Sequence, residues 1–301
     1  MRRSLPLLLT FSLFASLGAS CSDDGDTQTE EDSWKPCPKT ATPVPHPTGA
    51  TDIVLRLETT GGFPPPAFMP DDLPHYTVYG DGRLVAVDPN NTGLVPSLLE
   101  RRLTEDELQQ LLHGAEAACL VDQEMFLDLP EVYDVPGASF IVDTGSGPQQ
   151  TVAIGLGWSE MDPNVPANQE GQRAALLAFQ SSVSNLLLPP PGGDVVPVTP
   201  LETDRLGVFF TKADSSAQGS DWPSVDWPLQ VPLADFGTAS PEAWPEVQCA
   251  IAEGSDVKAL LATVEGMPSD QSPYWVDGDT WYQLMLRPML AEETDCAALV
   301  A

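Results

Sequence analysis

Asp143 is the residue whose setting could most directly do acid–base chemistry. It ends the apolar run Ile141-Val142 and is followed by Thr144, Gly145 and Ser146. Catalysis by carboxylates needs two of them sharing a proton, so that one activates water while the other protonates the substrate. No second Asp-Thr-Gly stretch occurs in the chain. The flanking runs Ser139 to Asp143 and Gln150 to Ile154 are β-rich, and the Gly145 to Gly147 turn between them is what a hairpin requires. Asp143 is therefore read as a turn residue, and no residue is assigned as catalytic. His46, His75 and His113 have neither metal-ligand spacing nor a nucleophile partner, so no metal and no cofactor is expected.

The segment Ile141 to Ser146 resembles the active-site loop of pepsin-like aspartic peptidases. A peptidase working as a retroviral-type homodimer, each copy supplying one Asp143 loop, is the alternative function. The hydrophobic-hydrophobic-Gly segment which that family carries downstream is not evident here. Trp222-Pro223, Trp227-Pro228 and Trp244-Pro245 offer a different chemistry, since their aromatic faces could receive a protein or glycan ligand. The same tryptophans could equally pin irregular Pro-rich loops to the core.

The five cysteines divide into one and four. Arg2 and Arg3, the apolar run Leu5 to Leu17, and Gly18-Ala19-Ser20 before Cys21 have the order of an export signal over residues 1–20. The apolar run is too short to cross a bilayer core, which needs about 20 residues. Leu17 to Cys21 resembles the lipobox of bacterial lipoproteins, with Gly18 where that family carries leucine. The resemblance implies that Cys21 begins the mature chain and carries acyl chains such as palmitate, anchoring an exported protein to the outer face of the cell membrane or to an outer membrane. Cys37, Cys119, Cys249 and Cys296 remain as an even set for an oxidising compartment. Two of them lie in each half of the chain, so the pairs expected are Cys37 with Cys119 and Cys249 with Cys296.

Thirteen basic residues against 44 acidic ones give a net charge of −31, and loss of Arg2 and Arg3 with the signal makes the balance more acidic still. Such a surface repels phosphate backbones and excludes nucleic acid as a partner. Residues 21–48, acidic and then rich in proline, read as a disordered tether. Folded structure is expected from residue 49.

Ile53, Leu55 and Leu57 alternate with wetter neighbours as a strand does. Tyr76 to Tyr79 and Arg83 to Asp88 flank Gly80-Asp81-Gly82 as a hairpin. Thr104 with Glu107 forms a capping box, followed at helical spacing by Leu108, Leu111, Leu112 and Ala115. A second helix fits Gln169 to Leu188, and Pro189 to Gly193 then ends the first subdomain. Beyond it come a strand at Arg205 to Lys212, a helix through Val257, Leu260, Leu261 and Val264, and a hairpin of Tyr274 to Asp277 with Thr280 to Arg287. The expectation is an α+β fold of two subdomains, 49–190 and 195–301, built from two small antiparallel sheets with helices packed on one face.

Gly61-Gly62-Phe63 with Pro65, Leu73-Pro74, and Tyr79-Gly80-Asp81-Gly82-Arg83 together resemble the opening of a group of uncharacterised exported proteins of high-GC actinobacteria. Arg287-Pro288-Met289-Leu290 with Glu293 and Cys296 resembles the close of the same group. The resemblance implies a shared fold and no activity. Taken together, the sequence points to a lipid-anchored, non-catalytic binding or envelope-interaction module.

Overall fold

The computed structural model describes residues 34–299 apart from 63–72, 122, 131, 133, 158–164, 188–196, 215–221, 240–245 and 270. Cys21, Phe63, Pro65, the Pro189 to Gly193 break and Trp244 lie outside the described residues. From Trp34 onward the chain forms one compact unit, of the α+β class.

The first sheet has eight strands in the order β5-β7-β6-β1-β2-β3-β4-β8. In chain order these are β1 (Ile53–Gly61), β2 (Tyr76–Tyr79), β3 (Arg83–Val87), β4 (Leu98–Arg102), β5 (Met125–Leu127), β6 (Pro136–Asp143), β7 (Pro148–Ile154) and β8 (Thr199–Leu201). The second has six, in the order β10-β13-β14-β9-β12-β11: β9 (Arg205–Lys212), β10 (Ser224–Asp226), β11 (Thr238–Ala239), β12 (Gln248–Glu253), β13 (Tyr274–Asp277) and β14 (Thr280–Pro288). The sheets are thus larger than the small ones expected. They are also mixed, because β5 runs parallel to β7 and β10 parallel to β13. Short strands such as β5 and β10 carry too few residues to show a period, so their addition to the edges leaves no sequence signal.

Helices α1 (Glu105–Ala117) and α2 (Glu170–Asn185) cover one face of the first sheet. The capping box is formed as expected, with the Thr104 hydroxyl accepting from the Glu107 N–H and the Glu107 carboxylate accepting from the Thr104 N–H. Leu108, Leu111, Leu112 and Ala115 of α1 meet Leu176, Phe179 and Val183 of α2 over Leu55, Leu57, Val78, Leu84, Phe140 and Val142. Arg173 of α2 is 2 % exposed, and its guanidinium donates to the carbonyls of Ile154, Leu127 and Asp128 at 2.7, 3.2 and 2.8 Å. It satisfies backbone acceptors where the chain leaves β5 and β7, which a buried loop must do somehow. Two further short helices follow, α3 (Leu233–Phe236) and α4 (Ser255–Thr263). Leu233 of α3 and Val257 and Leu260 of α4 join the core of the second sheet with Leu206, Val208, Phe210, Trp275, Leu284 and Leu286.

Helix α1 ends on Cys119, which adopts φ +59° although it is not a glycine. The Leu120 N–H donates to the Ala115 carbonyl and the Cys119 N–H to that of Glu116, both at 2.9 Å. That pair of bonds is the Schellman stop, whose left-handed position is normally glycine. Cys119 occupies it while bonded to Cys37, and Cys249 is bonded to Cys296. Both pairs are those expected, and they indicate an exported or otherwise oxidising setting.

Residues 34–48 depart from the expected tether. The Cys37–Cys119 bond brings them onto α1, where Gln109 mimics a strand partner: its Oε1 accepts from the Val44 N–H at 2.8 Å and its Nε2 donates to the Val44 carbonyl at 3.0 Å. Val44 is buried in the first core. Thr40 donates to Glu116 through both its N–H and its hydroxyl, and Trp34 donates through Nε1 to Gln172. Desolvation pushes the Glu116 carboxyl up, but the bonds from His113 and Thr40 outweigh it and hold it below its ordinary value.

The last segment stitches the two sheets together. Leaving β14, the chain sets Leu290 among Leu73, Tyr79, Val85 and Leu98 on the other face of the first sheet. Glu292 pairs with Arg56 and accepts from the Tyr79 hydroxyl at 2.6 Å, while the Arg83 guanidinium lies 4.8 Å over the Tyr79 ring. One residue on, Glu293 takes Arg287 in a two-pronged pair at 2.8 Å for each bond.

Candidate functional site

The hairpin β13–β14 sets the frame of a cavity in the second sheet. Trp275 lies opposite Tyr282 in its register, and with Leu284 and Leu286 two and four residues further on it shares the core face, as the period of two dictates. Trp275 is fully buried and meets Trp227 edge-on at 5.9 Å, and Trp227 meets Phe236 in the same way at 5.4 Å. The loop between β3 and β4 then closes over this hairpin. Leu94 N–H donates to the Met267 carbonyl and Ser269 N–H to the Thr92 carbonyl, each at 3.0 Å.

Between these parts lies a half-open cavity of about 490 Å³, with Leu94, Pro96, Trp222, Pro273, Trp275 and Leu286 among its walls. Its size falls in the range of roughly 300–1,000 Å³ typical of small-molecule sites. Trp222 stands at the cavity with 52 % of its surface exposed, its Nε1 fixed on the Ser272 carbonyl at 2.6 Å. Ser269, Ser272 and Gln283 are polar lining residues. No carboxylate, imidazole, amine, guanidinium or thiol lines the cavity among the described residues, and Tyr274 contributes a phenol. The Nε1 of Trp275 has no hydrogen-bond partner among the described residues.

The sequence candidates are dispersed. Asp143 sits at the tip of the β6–β7 hairpin, where its Oδ1 accepts from the Gly145 and Gly147 N–H groups at 2.7 and 3.2 Å. Gly145 and Gly147 take φ of +89° and +109°, backbone that glycine adopts without strain. Asp143→Asn is therefore expected to lower stability by about 1 kcal/mol, the worth of weakening one turn hydrogen bond. Urea unfolding of the two proteins measures it, and a loss above about 3 kcal/mol would assign Asp143 a larger part in the fold.

His46 contacts Glu105 at 3.3 Å, His75 contacts Thr59 at 2.8 Å and His113 contacts Glu116 at 2.8 Å, so each has its own partner. No group of three or more His, Cys, Asp or Glu among the described residues is placed to hold a metal ion. Of the Trp-Pro pairs, Trp227 is a core residue whose Nε1 donates to the Val231 carbonyl at 2.8 Å, and Trp222 stands at the cavity. Of the two roles the sequence offered, Trp227 takes that of pinning a loop to the core.

Sequence reasoning did not find Trp275 or the β3–β4 loop as parts of a site. Trp275 carries no local signal beyond its place in a strand, and Leu94 arrives from more than 170 residues away, as the Leu94–Met267 bond makes plain. Comparison with known protein families, curated proteins and solved structures finds no match to the chain.

Proposed function

We propose that the protein is a non-catalytic binding module that works outside the cytoplasm, held to a membrane through acyl chains on Cys21, and that it takes its ligand in the cavity beside Trp222. The observation that carries the reading is the cavity itself: a pocket of small-molecule size with aromatic and aliphatic walls and, among the described residues, no carboxylate, imidazole, amine or guanidinium in its lining. The two disulfides support an oxidising compartment. No described helix is long and apolar enough to cross a membrane, and the order of residues from Arg2 to Cys21 supports the lipid anchor.

Two measurements test the reading. Trp222→Ala should abolish saturable uptake of the neutral dye Nile red while leaving the unfolding midpoint close to that of the parent, because substitutions of exposed residues usually change stability by less than about 0.5 kcal/mol. Unchanged dye uptake would place binding elsewhere. Cys21→Ser should move the protein from the membrane fraction to the soluble fraction, and retention in the membrane would remove the anchor from the proposal.

A further inference from the structure

Building on the reading of this cavity as the ligand site, we infer that its ligand is an extended, uncharged stretch of another polypeptide chain, which adds as a strand to the free edge of β14. The hairpin partner β13 covers only the start of β14. Their register runs from Asp277 opposite Thr280 to Tyr274 opposite Gln283 and stops there, whereas β14 continues to Pro288, paired throughout with β9. Antiparallel pairing fixes which groups lie on the uncovered side, because successive residues turn their N–H and C=O alternately to the two neighbours. The Ala213 N–H donates to the Trp281 carbonyl at 2.8 Å and the Met289 N–H to the Arg205 carbonyl at 3.1 Å, so the odd-numbered residues of β14 face β9. Leu284 and Leu286 therefore turn theirs the other way, where no described backbone group bonds them. Main-chain groups inside a fold are nearly always paired.

The cavity lies along this edge. Gln283, Leu284, Met285 and Leu286 all line it, although successive side chains of a strand point to opposite faces, and what four consecutive residues share is the edge of their strand. Leu284 and Leu286 keep 7 % and 4 % of their surface exposed, so solvent reaches both residues. A donor and an acceptor, repeated at about 6.8 Å along the strand, are the complement of another extended main chain, and bonds of this kind carry strand addition to sheet edges. A glycan has hydroxyls but no such repeat, and a hydrocarbon leaves every one of these groups unpaired. The chain carries a net charge of −31 and no charged side chain lines the cavity among the described residues, so a carboxylate on the incoming segment would be repelled and an ammonium would lose its hydration without a partner. Proline is excluded where the segment faces β14, since it has no N–H to give.

Three competitors of Nile red separate the ligand classes in the full chain. A capped pentapeptide alternating threonine and valine should displace the dye. The same pentapeptide with every peptide nitrogen methylated keeps its side chains and loses its donors, so it should compete at least about tenfold more weakly, the equivalent of losing two hydrogen bonds. A malto-oligosaccharide should compete more weakly than the unmodified peptide. Equal displacement by the two peptides would overturn the strand assignment, and stronger displacement by the oligosaccharide would assign the cavity to a glycan. If neither peptide displaces Nile red while its uptake still depends on Trp222, the polypeptide class falls and the cavity remains the binding site.

A second measurement needs neither dye nor variant. Amide hydrogen exchange at Leu284 and Leu286 should slow by about tenfold or more when the unmodified pentapeptide is added in excess, and should slow much less at Met285, which lies opposite Phe209 of β9 and is already bonded on that side. Unchanged exchange at both leucines would refute the added strand. Equal slowing at Leu284, Met285 and Leu286 would refute it as well, since it would report a general stabilisation rather than new bonds on one edge.

Discussion

Glu293→Ala is expected to destabilise the protein by about 3–5 kcal/mol, the range found when one member of a buried ion pair is removed. Glu293 and Arg287 are 4 % and 3 % exposed. Besides the two 2.8 Å bonds to Arg287, Oε2 of Glu293 accepts from the Leu290 N–H at 2.6 Å, and the Arg205 guanidinium donates to the Glu293 and Leu290 carbonyls at 2.7 and 3.1 Å. The carboxylate therefore closes a tight corner as well as balancing a charge. Its loss strands a guanidinium whose Nε already lacks a partner among the described residues. The midpoint of urea unfolding gives the measurement. Replacing both members with apolar residues of similar size, Arg287→Met with Glu293→Leu, should be far milder, since no buried charge is then left uncompensated. A single variant no worse than the double one would refute this account.

Converting Cys37 and Cys119 together to serine should lower stability by about 4.5 kcal/mol in the chain-entropy model, given a sequence separation of 82 residues. The Cys249–Cys296 bond spans 47, and the logarithmic dependence on loop length makes the same change there smaller by only about 0.5 kcal/mol. The first pair carries a second effect. Without its bond, residue 119 must still hold φ near +59° to end α1, a conformation that serine tolerates poorly, and residues 34–44 lose their covalent hold on the helix. Hydrogen exchange at the Val44 amide, which donates to Gln109, should then accelerate well beyond what global destabilisation explains. Protection at Val44 that merely follows the global change would mean that the hydrogen bonds of this segment suffice by themselves.

What could be read in the chain was whatever repeats along it. The capping box at Thr104 and Glu107, the apolar stripe of α1 and the hairpins closed by Gly82 and Gly278 are local, and they stand where expected. Two of the strands that escaped notice have a reason in their own residues. β4 reads Leu-Leu-Glu-Arg-Arg, with no alternation, because Arg101 is buried by pairing with Glu107 and by donating to the Leu186 carbonyl. β8 contains Pro200, tolerable because β8 is an edge strand. The docking of residues 34–48 was legible only at one point: the pairing of Cys37 with Cys119 was expected, but proline and charge mark the rest of the segment as disordered and give no sign of the bonds made by Thr40 and Val44. Half of the cavity was hidden for the same kind of reason, since its walls come from strands and loops far apart in sequence, and only Trp222 had drawn attention.

The C-terminal stitch has a consequence for how the protein comes into being. Arg56 and Glu292 are separated by 236 positions and Tyr79 and Glu292 by 213, and the outer face of the first sheet is covered by Leu290. A chain emerging from its amino end first leaves that face bare until residues 290–293 arrive. Closure over such distances is slow relative to local folding, and a sheet face left bare in the interval invites aggregation. The acidic excess of the sequence places mutual repulsion between half-emerged copies during that interval, before residues 290–293 close the structure.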